Sequence, residues 1–232
     1  MYGLYFFKGW LVFIGIPLII ASWAQFRVKS AFAKYSCVRV SSNMTGADTA
    51  RAILQAAQIH DVEVIEINGF LGDHYDPTSK RLCLSSQTYR TPSVAAVGVA
   101  AHETGHAIQH AKAYAPLQAR MLVVPATQIA SNALPFIFFG SFFLPFMGLA
   151  LIKLGVVCYL IITLFQLVTL PVEFDASRRA KIILKEMNVI QPGEEAAGVR
   201  SVLDAAALTY VAAFVAALGN LLYFLSLTQR RN

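Results

Sequence analysis

The sequence predicts an α-rich membrane protein: about four transmembrane helices and a small α+β lobe that carries a His-Glu-x-x-His helix. Three observations predict it. Hydrophobic residues make up 56% of the 232 and charged residues only 14%, for a mean hydropathy of +0.56. Four uncharged runs stand out: Gly9 to Phe26, Met121 to Ile152, Leu154 to Val172 and Ala205 to Leu227. Between the first and second runs lies a more polar stretch containing His102-Glu103-Thr104-Gly105-His106.

A bilayer core about 30 Å thick needs roughly 20 apolar residues in helix, which each run meets or approaches. The first run carries Trp10 and Trp23 where an interfacial belt would place them. Ser22-Trp23-Ala24 has the small-x-small form of a signal-peptide cleavage site. Against cleavage, Arg27, Lys29, Lys34 and Arg39 follow directly and resist translocation, so a retained anchor with its C-terminal end in the cytoplasm is the expectation. Only Lys153 separates the second and third runs, which predicts a tight hairpin there, and Pro125, Pro135 and Pro145 make its first limb irregular. Phe136, Phe138, Phe139, Phe142 and Phe143 read as lipid-facing or packing residues. Ala212, Ala213, Ala216, Ala217 and Gly219 form a small-residue face suited to helix packing.

In that orientation Lys112, Arg120, Arg178, Arg179, Lys181, Lys185 and Arg200 lie inside, while Lys8, Lys153, Arg230 and Arg231 fall outside. The count puts the motif on the cytoplasmic side; Arg230-Arg231 counts against it unless the last helix stops short of crossing. Cys37, Cys83 and Cys158 are odd in number and scattered, which suits a reducing compartment. The net charge of +6 and pI near 9.3 come from these flanking residues, and without a basic stripe or interleaved aromatics no nucleic-acid site is expected. The runs hold no ionisable pair, which argues against a transporter.

The polar stretch spans roughly 90 residues, enough for one small lobe. Thr45-Gly46-Ala47-Asp48 opens a helix through Gln58, and Val62 to Ile67 alternates apolar and acidic residues as a strand with one wet face does. Asn68-Gly69 breaks it, Asp76-Pro77-Thr78-Ser79 turns, and Arg81 to Ser85 makes a second strand. The expectation is a hairpin-like sheet whose edge can hold an extended peptide. Thr91-Pro92 is a start signal for the motif helix, which should run to about Ala113.

Histidines four apart on a helix are separated by about 40° around its axis, so His102 and His106 can share one tetrahedral Zn²⁺ with a position left open for water. Glu103 points about 100° away from His102, which suits a general base more than a ligand. If the histidines merely bonded to neighbours in a buried helix, Glu103 would be an unpaired carboxylate in an apolar stretch, which is costly. A catalytic site needs a third ligand. His110 sits a further turn up the helix, about 6 Å too far along the axis. Glu173 follows Pro171 where a cytoplasmic helix looks set to begin, and spacing leaves two readings open: ligand, or a helix-capping glutamate favoured by the dipole.

In Leu71-Gly72-Asp73-His74-Tyr75-Asp76-Pro77, Ala100 through Gln109, Tyr114-Ala115-Pro116-Leu117, Leu164 through Ala180 and Ala205-Ala206-Ala207-Leu208-Thr209-Tyr210, the chain resembles the bacterial membrane-bound neutral zinc metallopeptidases of the YugP type. The resemblance runs from Thr45 to Tyr223. It implies a gluzincin-like lobe, zinc on His102, His106 and Glu173, Glu103 as the base, and distant kinship to HtpX-type and CAAX prenyl proteases. Two departures stand out. Gly72 replaces a threonine of the pattern, and Ser177 stands where HtpX-type enzymes carry an aspartate that orients the first zinc histidine, although serine is usual in the YugP type. His74 belongs near the cleft by resemblance, as an oxyanion donor or a turn-stabilising partner of Asp76; Tyr75 and Tyr114 are lesser candidates.

The domain plan that results is an N-terminal anchor over 1–26, a lobe with the motif helix over 27–120, a transmembrane hairpin over 121–172, cytoplasmic helices with the third ligand over 173–204 and a C-terminal membrane helix over 205–232. The expected function is zinc-dependent hydrolysis of membrane-associated or misfolded polypeptides at the cytoplasmic face of the bacterial inner membrane, with the lipid bilayer as the other partner. Only about ten uncharged residues precede His102, too few to place the metal at mid-bilayer. The alternative is a non-catalytic membrane scaffold with a structural zinc, which would have no use for Glu103.

Overall fold

The computed structural model describes residues 9, 11–69 and 72–229. Lys8, Trp10, Phe70, Leu71, Arg230 and Arg231 lie outside them. A π-helical turn over Leu11–Gly15 leads into α1 (Ile16–Ser36), followed by α2 (Gly46–Ala56), β1 (Glu63–Ile67), β2 (His74–Asp76) and β3 (Arg81–Ser85). Then come α3 (Ser86–Arg90), the motif helix α4 (Val94–Ala111), α5 (Ala115–Phe143), a 3-10 turn over Pro145–Met147, α6 (Gly148–Glu186) and α7 (Glu194–Gln229). The chain is an α-rich membrane protein: four of these helical stretches, Leu11–Ser36, Ala115–Gly140, Gly148–Glu186 and Glu194–Gln229, are long and apolar enough to cross a bilayer.

The chain divides into two compact units. One takes in the chain up to Ala24, Ala119–Leu170 and the chain from Thr209 onward; the other is Gln25–Gln118 with Pro171–Leu208. In the first, Ala130 and Ile137 of α5 pack on Cys158 of α6. Gly219 lies so close to the chain at Phe13 that a Cβ there would fall 2.2 Å from the Phe13 carbonyl oxygen, so the small-residue face does pack helix on helix. Phe136, Phe138, Phe139 and Phe143 point outward, as a lipid-facing surface requires, and the Phe142 side chain lies outside the described ones. The helical hairpin turns at Pro145–Met147 and not at Lys153, which is inside α6. Pro145 has no N–H with which to continue α5, whereas Pro125 and Pro135 are absorbed within it.

The second unit builds the lobe. Thr45 caps α2 through a reciprocal pair with Asp48, whose backbone N–H donates to Thr45 Oγ1 at 3.1 Å while Thr45 N–H donates to the Asp48 carboxylate at 3.2 Å. The expected hairpin is corrected: β1 and β3 pair in parallel, and the intervening β2 adds to the other side of β3 antiparallel, giving the order β1-β3-β2. The connection from 68 to 80 is long enough for a parallel crossover and contributes β2 on the way. Gly69 has φ +123, a conformation that only glycine adopts readily, and Asp76 closes the next turn by accepting from Thr78 N–H at 2.8 Å and Ser79 Oγ at 2.6 Å. As the central strand, β3 buries Leu82 and Leu84 against Ala50 of α2 and Ala100 of α4.

The start of the motif helix is also corrected. Thr91 is extended, and Ser93, not Thr91, caps α4 by accepting from Ala96 N–H at 3.2 Å. Pro92 instead offers its carbonyl to Val40 N–H at 3.0 Å, in a bridge that ties the entry of α4 to the segment after α1. Ile53, Val97, Ile108, Leu184, Val199 and others around them form the main core, so α4 is wrapped by α2, α6 and α7.

Candidate metal centre

Helix α4 is apolar on the sides that the lobe covers, and one of its two interior glycines, Gly105, has a steric task. A Cβ on Gly105 would sit 3.0 Å from the Ala176 carbonyl oxygen and 3.2 Å from Ala176 Cα. Glycine in a helix interior costs about 1 kcal/mol relative to alanine; here it lets α6 lie directly against α4. That approach brings Glu173 and Ser177, which flank Ala176, to the two motif histidines.

Glu173 is not in the first turn of a helix. It lies deep within α6, which runs through Pro171 without a break, so the helix-capping reading falls. Its Oε2 is 3.2 Å from His102 Nε2 and 3.5 Å from His106 Nε2, and all three residues are buried. Among the described residues this is the group of His, Cys, Asp and Glu side chains that converges tightly enough to hold a metal ion. Bonds of about 2.0–2.2 Å from zinc to nitrogen and oxygen imply tetrahedral edges of about 3.3–3.6 Å, and the two separations from Glu173, 3.2 and 3.5 Å, lie close to them. Two imidazoles and one carboxylate are also a donor set of the catalytic kind, with a fourth position left to fill.

Each histidine is held from behind. His102 Nδ1 is 3.1 Å from Ser177 Oγ, so the serine at the departure noted above does reach the first histidine. His106 Nδ1 is 3.0 Å from Gln109 Oε1, and Gln109 Nε2 donates to Val172 O at 2.8 Å and to Asp175 Oδ2 at 3.0 Å. Asp175 in turn accepts from Arg178 and Arg179. Outer partners of this kind orient metal-binding imidazoles.

Glu103 is partly exposed beside the cluster and does not join it. Desolvation is the largest influence on its carboxyl and pushes it above the usual range, against the pull of His102 and His106; Glu173 and Asp73 add to the rise. A carboxylate that takes up a proton more readily than usual is suited to general-base work.

The lesser candidates have hydrogen-bond or ring partners of their own. His110 Nδ1 and Tyr75 Oη are 2.9 Å apart, and burial pushes the Tyr75 phenol up to about 12. The Tyr114 ring lies under the Arg179 guanidinium, 5.9 Å from its centroid. His74 is exposed with Nδ1 2.7 Å from Gly72 O, and Asp73 accepts from Ser85 N–H at 2.8 Å. At Gly72 a Cβ would meet Ile67 Cδ1 at 3.6 Å, an ordinary contact, so the missing threonine side chain leaves no conflict.

Three residues with a part in this arrangement escaped the sequence reading. Gln109 stands three positions after His106, the spacing at which helix neighbours meet. Asp175 stands two positions after Glu173, and its partner Gln109 is on another helix, which no spacing within α6 reveals. An unforced glycine inside a buried helix was itself a signal of close packing at Gly105.

The family described as "Putative neutral zinc metallopeptidase" matches residues 10–229. The chain is 46% identical over 214 residues, 92% of its length and 94% of the other, to "Putative membrane protease YugP" of Bacillus subtilis (strain 168). No solved structure matches it. The chain therefore belongs to this zinc metallopeptidase family, and the buried cluster of His102, His106 and Glu173 fits the metal that the family's description names.

Proposed function

We propose that this protein is a multi-pass zinc endopeptidase of the bacterial inner membrane that hydrolyses membrane-associated or misfolded polypeptides at the cytoplasmic surface. His102, His106 and Glu173 are the zinc ligands and Glu103 is the general base. The observation that carries the reading is the convergence of one Glu173 oxygen on both histidine Nε2 atoms, with an additional carboxylate, Glu103, adjacent to them and outside the ligand set. A structural zinc site has no use for that extra acid.

Zinc, when bound, supplies a Lewis acid that acidifies water and polarises a peptide carbonyl. Glu103 accepts the proton of the attacking water on its carboxylate and later returns it to the departing amine. Burial of the histidines and Glu173 keeps competing water from their inner faces. The cytoplasmic assignment rests on the basic residues that follow the first membrane run, Arg27, Lys29, Lys34 and Arg39.

The test is a comparison of new protein N-termini in cells carrying the wild type and cells carrying Glu103→Gln. The reading expects a set of N-termini, enriched in membrane-associated proteins, that disappears in the variant. Identical sets would favour the structural-zinc scaffold.

A further inference from the structure

The Gln109 amide is fully buried, and all of its hydrogen-bonding capacity is committed. A primary amide has two N–H donors and one carbonyl acceptor. Both donors meet acceptors, Val172 O at 2.8 Å and Asp175 Oδ2 at 3.0 Å. Turning the amide over would set its carbonyl against a carbonyl and a carboxylate while leaving two buried N–H groups facing His106. The orientation therefore has one sensible solution, with Oε1 toward His106 Nδ1 at 3.0 Å.

Because Oε1 only accepts, His106 Nδ1 must carry the hydrogen. A neutral imidazole then has a lone pair on Nε2, and that lone pair faces Glu173 Oε2 at 3.5 Å. Two electron-rich atoms so placed repel unless a cation lies between them. His102 differs: its partner, the Ser177 hydroxyl, donates as readily as it accepts, so that contact orients the ring without setting its polarity.

We propose that Gln109 and Asp175 are positioning residues that lock His106 in its metal-ready tautomer and key α6 to α4, so that Glu173 meets the histidines at the correct height. The inference rests on the zinc assignment above. The keying follows from where the amide binds: Val172 and Asp175 lie on either side of Glu173 along α6, so one side chain of the motif helix grips the ligand-bearing turn. Arg178 and Arg179 complete the relay by holding Asp175 as a carboxylate acceptor. Gln109 touches no substrate in this account. It acts through His106.

The test is zinc affinity, measured by chelator competition on the full-length detergent-solubilised protein, with helix content and melting recorded alongside. Gln109→Leu should weaken zinc by about 10–100-fold, the range typical for loss of an outer partner. Asp175→Asn should weaken it as well, and the double variant should be little worse than Gln109→Leu alone, because both changes break one relay. Ser177→Ala, acting on the other histidine, should add to Gln109→Leu. If Gln109→Leu does not fold, Gln109→Asn, one methylene shorter, is read in its place. Unchanged affinity in a folded Gln109 variant, or strict additivity between positions 109 and 175, would overturn the relay, provided His106→Ala loses zinc. If His106→Ala keeps its zinc, the metal assignment itself is wrong.

Discussion

Ser177 Oγ lies 3.1 Å from His102 Nδ1, one helical turn along α6 from Glu173, so a single helix supplies a carboxylate to the inner side of the His102 ring and a hydroxyl to its outer side. An aspartate at this position, as in HtpX-type enzymes, would also make the imidazole more basic; serine only steadies it. Ser177→Ala should therefore lower zinc affinity by about 10-fold, at the mild end of outer-partner effects. Chelator competition on the purified variants checks this, and Ser177→Asp should recover the affinity.

The ligand assignment predicts about one zinc per chain. His102→Ala, His106→Ala and Glu173→Gln should each reduce it sharply, as read by elemental analysis of purified protein, because a site with two protein ligands holds zinc weakly. Full occupancy in Glu173→Gln would move the third ligand elsewhere. Asp73 and Asp76 are the alternatives to test first, although both are already committed, to Ser85 and to the Thr78–Ser79 turn.

Gly105→Ala should destabilise the protein although alanine is the better helix former. The added Cβ would lie 3.0 Å from the Ala176 carbonyl, a backbone atom in a continuous helix that has little freedom to retreat. Overpacking of this kind costs about 1–3 kcal/mol, more than the roughly 1 kcal/mol of helix propensity gained. A lower melting temperature together with weaker zinc binding is the expected outcome. An unchanged or raised melting temperature would show that α6 moves aside freely.

The topology predicts that the lobe is closed to impermeant thiol reagents in intact cells. Cys37 is exposed and serves as a native reporter, and a Ser79→Cys substitution places a second one in the exposed turn between β2 and β3. Both should label only after permeabilisation. Labelling of either in intact cells would put the lobe on the opposite face and revive a cleaved signal peptide.

What was legible in the sequence was what neighbouring residues encode. The motif histidines declare their geometry through helix spacing, the membrane runs through composition, and the Thr45–Asp48 cap through its own four residues. Pairings through space were not legible. Nothing local tells β3 to pair with β1 in parallel, and Thr91-Pro92 has the chemistry of a helix start until the Val40–Pro92 bridge draws it into extended structure. Glu173 is 71 positions from His102, and its spacing suits a cap as well as a ligand; its place within α6 removes the capping reading, and only the contact across α4 and α6 brings it to the histidines. The relay through Gln109 and Asp175 depends on the same helix contact, so no pattern around His106 alone would have revealed its far end.

The central claim is that Glu103 is a base and not a ligand, and the most direct measurement is peptide hydrolysis by zinc-loaded Glu103→Gln beside the wild type, with bound zinc determined in the same samples. Glutamine has nearly the same shape and does not take up the water's proton, so zinc content and melting should match the wild type while turnover falls by on the order of 10²–10⁴-fold. Near-normal turnover with full zinc would contradict the account. So would loss of the metal, which would make Glu103 part of what holds it.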